Sequence, residues 1–380
     1  MSETEVDMGA APVVDRGTRP PADGIALTLS GGGYRAMLFH LGTLWRLNEA
    51  DILRDVQRIS SVSGGSITAA RLGAVWTDLD WTDKGQSFER LVVEPVRALA
   101  SRSIDLPAIA IGALANNRPG YWVEWAYRHY LFRKLTLQDL PDAPRFVINA
   151  TNVENGALWR FSKPYMGDWQ SGRFSSPQIS LARAVAASSA FPPFLSPIDI
   201  EVDPEKWIGS DGMPLSASNR RMLTDGGVYD NLGLETAWKR YRTILASDGG
   251  AALAVQPHPS RRWGLHAYRA LSIIQNQVGA IRARQLVASF HSKDPVSGRT
   301  GTLFPIGANP AVEAIDPILP CPVSRARELA LTPTDLRRKT RNYQERLINW
   351  GYAICDARLR RHYRRNLSPP GGFPFPGTGI

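Results

Sequence analysis

The 380-residue chain is predicted to adopt an α/β fold. Two strand–glycine-turn–helix units follow one another near the N-terminus, and short strand patterns return between residues 145 and 246. An apolar fraction of 43% against 21% charged supplies material for a core and excludes a wholly disordered chain.

In the first unit, the unpunctuated run Ile25-Ala26-Leu27-Thr28-Leu29 suits a buried strand. It ends at Ser30-Gly31-Gly32-Gly33, after which Met37, Leu38, Leu41, Leu44 and Trp45 recur at helical spacing. The second unit reads as a strand over 56–62, a sharp turn at Ser63-Gly64-Gly65 and a helix over 66–76. Residues 78–139 change to amphipathic helix with Pro/Gly breaks and an aromatic cluster from Tyr121 to Phe132. At helical spacing those rings read as core first. Their position between the two halves of the strand pattern is also where a lid would be inserted.

Strands return at 145–150 and 157–161, the second pairing with the first. A small-residue helix over 181–190 is stopped by Phe191-Pro192-Pro193. Met222-Leu223-Thr224 leads into Asp225-Gly226-Gly227, and residues 243–246 lead into Ser247-Asp248-Gly249-Gly250. A long amphipathic helix is expected over 265–290. Residues 306–367 read as a C-terminal helical extension, with a solvated basic run at Arg358, Arg360, Arg361, Arg364 and Arg365. The ends, 1–24 and the Pro/Gly-rich 368–380, read as loose tails, leaving 25–305 as the main domain.

Forty-five Lys+Arg against thirty-five Asp+Glu give a net charge of +10, which favours polyanions or an anionic membrane surface. Cys321 and Cys355 match no metal spacing, and two distant thiols point to a reducing, cytoplasmic compartment. The opening residues lack the basic and apolar regions of a secretory signal, and export without a cleaved signal is compatible with them. The longest apolar stretch, 104–115, contains Asp105 and Pro107 and is too short to span a bilayer, so any membrane contact is peripheral.

Ser61-Val62-Ser63-Gly64-Gly65 has the outline of a nucleophile elbow, with Ser61 where the first glycine usually stands. The same letters also fit an ordinary turn with an N-cap. Consecutive Gly31, Gly32 and Gly33 let backbone N–H groups converge on one anionic point, as in an oxyanion hole or a phosphate cradle. Gly31-x-Gly33-x-x-Ala36 is only a loose dinucleotide fingerprint, because the next strand ends in a serine turn and not in an acid. A base for Ser63 could be Asp225 directly, or a histidine oriented by it. His258, His266 and His291 satisfy the chain order, but none sits in a convincing strand-end loop. Asp248-Gly249-Gly250 repeats the Asp-Gly-Gly triplet, and spacing does not choose between the two aspartates.

Ser30-Gly31-Gly32-Gly33-Tyr34-Arg35, Ser61-Val62-Ser63-Gly64-Gly65-Ser66 and Asp225-Gly226-Gly227, in that order, resemble the patatin-like phospholipase family. Asn149-Ala150-Thr151-Asn152 and the run from Ala184 to Pro193 look like it too, so the resemblance covers about residues 25–255. It implies a three-layer α/β/α fold with a central, mostly parallel sheet. Ser63 would be the nucleophile and Asp225, in preference to Asp248, its dyad partner. Gly31, Gly32 and Gly33 would form the oxyanion hole, with Arg35, Gly64, Gly65 and Gly226 supporting. It implies no cofactor or metal, and a phospholipid or related acyl ester as substrate. The rival readings are a catalytically silent scaffold of the same fold and, from net charge alone, a nucleic-acid-binding protein. No nucleic-acid signature accompanies the charge, so no such partner is expected.

Overall fold

A computed structural model describes residues 20–83, 85–105, 119–208, 219–250, 253–313 and 319–380. Residues 1–19 of the expected tail over 1–24, and most of the apolar stretch over 104–115, lie outside the described residues. A mixed sheet of eleven strands crosses the molecule. Its centre is five parallel strands in the order β11 (Thr300–Pro305), β10 (Tyr241–Asp248), β1 (Ala22–Leu29), β2 (Val56–Val62) and β3 (Arg145–Asn152). Beyond β3 it continues as an antiparallel meander: β4 (Leu158–Phe161), β5 (Tyr165–Asp168), β6 (Gly172–Ser175) and β8 (Trp207–Ile208). Strand β1 begins three residues before the expected position 25, so the tail is shorter than the composition suggests.

The parallel strands are apolar because helices cover both faces. Helix α1 (Gly33–Glu49) is buried from Gly33 through Leu47, and α2 (Gly64–Ala74) is buried along most of its length. Burial on all sides of α1 requires a second helix against it, and α8 (Arg341–Arg358) from the C-terminal extension supplies it. The two backbones touch at glycines. A Cβ on Gly42 would lie 1.9 Å from the Ile348 carbonyl oxygen, and one on Gly351 would lie 1.9 Å from that of Phe39.

The extension thus packs into the α/β body and does not stand apart from it. Nor is the Pro/Gly-rich end loose: the Asn349 amide donates to the Phe375 and Gly379 carbonyls, and Ile380 is buried. The basic run is only partly solvated. Arg360 is buried against Asp356, and Arg358 pairs with Glu313.

Within 78–139, helix α3 (Glu94–Ala100) packs into the core, and α4 (Pro119–Tyr127) divides the aromatic cluster. Tyr127 and Phe132 are fully buried, whereas Tyr121, Trp125 and Tyr130 reach solvent. The core reading holds for one face of this segment only. Helix α5 (Leu181–Ser188) lies beside α4 and beneath the elbow. Helix α6 (Trp263–His291) is long and packs over its last turns, with Leu286 and Ser289 its buried residues.

Candidate active site

Strand register brings Ser63 and Asp225 together. Strand β2 runs parallel to β3 and ends with Val62 opposite Asn149. Strand β9 (Arg220–Asp225) runs antiparallel on β3 and ends with Asp225 opposite Ala150, the next residue. The two strands approach head-on along β3, so the residue leaving β2 meets the last residue of β9. The antiparallel entry of β9 was not legible in its short, ordinary strand pattern.

Ser63 stands at the carboxyl end of the parallel strands, with φ 51° and ψ −120°, and its successor opens α2. This left-handed backbone is costly for serine, about 1–3 kcal/mol, and persists only where the surroundings hold it. Hydroxyls beneath the turn do so. The Ser63 N–H donates to Ser188 Oγ at 2.9 Å, and Ser188 Oγ donates to the Asn149 carbonyl at 2.6 Å. Ser66 Oγ donates to Ser61 Oγ at 3.0 Å, which donates to the Val147 carbonyl at 3.4 Å. Serine in place of glycine at 61 therefore ties strand to helix. Asn149 Nδ2 donates to the Ser61 carbonyl and to Ser60 Oγ, both at 2.9 Å.

Asp225 is held as firmly. Its N–H donates to the Ala190 carbonyl, its own carbonyl accepts from Thr151 Oγ1, and its Oδ1 accepts the Gly227 N–H at 2.6 Å. Burial pushes the carboxyl up to about 7, against opposing hydrogen bonds from the Gly227 N–H and the Ser63 hydroxyl. Oδ2 nevertheless has no full hydrogen-bond partner among the described residues, so the serine contact is loose. Catalytic hydrogen bonds commonly tighten only once substrate arrives. Asp248 lies elsewhere: its Oδ1 accepts the Gly250 N–H, and it faces Ser30 and Arg35. His258, His266 and His291 are exposed, and none contributes to the environment of Asp225.

The glycine turn packs directly on the elbow. A Cβ on Gly31 would lie 3.2 Å from that of Ser63, and one on Gly64 would lie 2.1 Å from the Gly33 carbonyl oxygen. Gly32 and Gly33 have φ 143° and 59°, conformations that suit glycine. The three amides are not equivalent. The Gly31 N–H already donates to the Asn231 carbonyl at 3.0 Å. The N–H groups of Gly32, Gly33 and Gly64 have no acceptor among the described residues, and the last of these opens α2 beside Ser63. Of the three expected donors, Gly32 and Gly33 thus keep an N–H without an acceptor among the described residues, as does the neighbouring Gly64, while that of Gly31 is engaged. Gly65 instead donates to the Ser30 carbonyl, which holds α2 over the end of β1. A Cβ on Gly226 would meet the Asn149 carbonyl at 2.4 Å, so the turn after Asp225 needs its glycine.

Arg35 is buried behind the turn and does not face an open site. Its Nε donates to the Gly249 carbonyl at 2.8 Å and its Nη1 to the Thr332 carbonyl. Burial lowers its pKa to about 10, which still leaves it charged near neutrality. The Tyr34 N–H donates to the Asp335 carbonyl, so the C-terminal extension also braces this loop. His40 Nε2 donates to the Ser30 carbonyl, and burial lowers its pKa to about 4, leaving it neutral support. Asn231 was not singled out from sequence. Its Oδ1 stands 2.4 Å from where a Gly31 Cβ would be and 2.6 Å from where a Gly227 Cβ would be, so it lines the gap between the two turns. Among the described residues no group of His, Cys, Asp and Glu could hold a metal ion, and no helix is long and apolar enough to cross a membrane.

Comparison with known proteins agrees with this architecture. A structure of human GIVD cytosolic phospholipase A2 superposes with a TM-score of 0.51 and 13% identity, covering 92% of this chain and 62% of that one. Its complex with methyl gamma-linolenyl fluorophosphonate gives a TM-score of 0.53 and 14% identity, covering 93% and 60%. The chain thus spans about three fifths of the human protein's length. VipD from Legionella pneumophila is a fainter likeness, with a TM-score of 0.33 and 16% identity over 87% of this chain and 67% of that one. No curated protein sequence matches significantly. The family model for patatin-like phospholipase matches residues 27–238, more than half the chain and all three glycine-bearing motifs. The chain belongs to the patatin-like phospholipase family, a family of lipid acyl hydrolases.

Proposed function

We propose that the protein hydrolyses carboxylic esters of phospholipids or related acyl lipids through a Ser63–Asp225 dyad. The observation that carries this reading is the meeting of Ser63 and Asp225 across one residue of β3, beside backbone N–H groups that lack acceptors. Ser63 Oγ attacks the ester carbonyl carbon while its proton passes to Asp225, without an intervening imidazole. The N–H groups of Gly32, Gly33 and Gly64 receive the developing oxyanion, and the start of α2 adds its partial positive charge. Collapse expels the alcohol, protonated by Asp225, and leaves an acyl-enzyme. Water then attacks this ester with Asp225 again taking the proton, releasing the fatty acid and restoring the hydroxyl.

The test is hydrolysis of a soluble short-chain ester and of phospholipid in mixed micelles. Ser63→Ala is expected to lower both rates by about a thousandfold or more with the fold intact. A Ser63→Ala protein that kept its esterase rate would overturn the reading. Because the base must be ionised, kcat/KM is expected to rise with pH through about 7 and then level. Asp248→Asn serves as the control. It perturbs the Arg35 side of the loop, and is expected to cost less than about tenfold.

A further inference from the structure

From Gly249 through Lys293 the chain carries no Asp or Glu, while it carries Arg261, Arg262, Arg269, Arg282, Arg284 and Lys293. Helix α6, about 43 Å long at 1.5 Å per residue, fills most of this segment. Along it Trp263, Ala267, Ala270, Ile274 and Ile281 recur at spacings that place them on one face, and all five are exposed. Trp263 is 87% exposed, and Val255, in the loop before the helix, 88%. A solvent-facing stripe of a globular helix is ordinarily polar; this one carries the apolar residues on the outside.

The helix is also joined to the candidate site. Tyr268 packs edge-on against Phe191 and Phe194, with ring centroids 6.1 and 5.5 Å away. That turn begins at Ala190, whose carbonyl accepts the Asp225 N–H. Phe194 itself is exposed. At its other connection, the segment leaves Gly249, whose carbonyl holds Arg35.

We propose that the outer face of α6, with Val255 in the loop before it, docks on an anionic lipid bilayer. Exposed Trp, Ile and Val would enter the interface while the exposed Arg261 and Arg262 meet lipid phosphates. Charge argues for lipid over a second copy of this chain, since the helix offers no carboxylate to pair an opposing set of arginines. Docking here would place the ester-hydrolysing site next to the bilayer. That consequence rests on the proposed activity, but the docking does not.

The test is co-sedimentation of the full chain, carrying Ser63→Ala so that lipid is not consumed. The vesicles are phosphatidylcholine alone or phosphatidylcholine mixed with phosphatidylglycerol. Binding is expected to need phosphatidylglycerol and to weaken with salt. Arg261→Gln with Arg262→Gln should lower partitioning about twentyfold, and Trp263→Ser with Ile274→Ser by about tenfold or more. With Ser63 restored, both double variants should keep the wild-type rate on a soluble ester, so a failed docking and a failed catalytic reading give different results. Equal binding by all variants, or indifference to anionic lipid, would overturn the proposal. So would a concentration-dependent dimer that Ile274→Asp dissolves.

Discussion

Asp225→Asn is expected to lower kcat/KM for ester hydrolysis by about a thousandfold and, above pH 7, to make the protein more stable. Both effects have one cause. Burial raises the Asp225 carboxyl to about 7, well above its ordinary value, so the folded protein favours the protonated form. A carboxyl raised in this way contributes its full stability below its unfolded pKa of about 4, and loses it as pH climbs through about 7. At pH 8 the ionised group therefore strains the fold, by at most about 4 kcal/mol. Asparagine keeps the acceptor for the Gly227 N–H and carries no charge, but it cannot take a proton from Ser63. Denaturant unfolding at pH 5 and pH 8 checks this directly. The variant should gain on the wild type at the higher pH and match it more closely at the lower. A variant that lost stability at pH 8 would show that the buried carboxylate is better solvated than its surroundings imply.

Gly42→Ala is expected to destabilise the protein by about 3 kcal/mol or more, although a methyl group in a helix is ordinarily favourable. The new Cβ would have to occupy space 1.9 Å from the Ile348 carbonyl oxygen and 2.6 Å from the Tyr352 nitrogen. Both are backbone atoms of α8 and cannot rotate away. Helices α1 and α8 must separate, and α1 carries Gly33, Tyr34 and Arg35 at its start. The Tyr34–Asp335 and Arg35–Thr332 hydrogen bonds that brace the glycine turn would be strained with it. Esterase activity should therefore fall along with the unfolding midpoint. Gly279→Ala is the control, since nothing lies within 4 Å of its Cβ position in α6. It is expected to be neutral or to stabilise by up to about 1 kcal/mol.

Of the five parallel strands, β1, β2 and β10 were legible because each leads straight into a glycine turn, and β3 through its Phe146-Val147-Ile148 run, whereas β11, a short Thr300–Pro305 strand with Gly301 inside it, gave no such signal. The Ser63 turn and the glycine loop were legible for a similar reason: the close approach of turn, strand and helix needs small residues at fixed places after a strand. What the sequence hid depends on contacts between distant segments. The tail of β9 looks like any short strand, and only its register on β3 shows Asp225 arriving at Ser63. Ser188 lay within a string of small residues, with no sign that its hydroxyl would hold the Ser63 backbone. Asn231 was one polar residue among several after Asp225. The helix of residues 341–358 read as an extension because helical spacing does not reveal its partner. Gly42 and Gly351 were the clue to close helix contact, but either alone passes for an ordinary helix glycine. The amide of Gly31 shows the limit of motif reasoning: the residue stands in the loop as expected, yet its N–H is already bound to Asn231.

Covalent labelling by a lipid-like fluorophosphonate, located by peptide mass spectrometry, tests most directly the proposed activation of Ser63 by Asp225. The expected adduct is on Ser63 alone, forming at least about a hundredfold more slowly in Asp225→Asn and at an unchanged rate, within about tenfold, in Asp248→Asn. An adduct on another serine, or full-speed labelling of Ser63 without the Asp225 carboxylate, would contradict it.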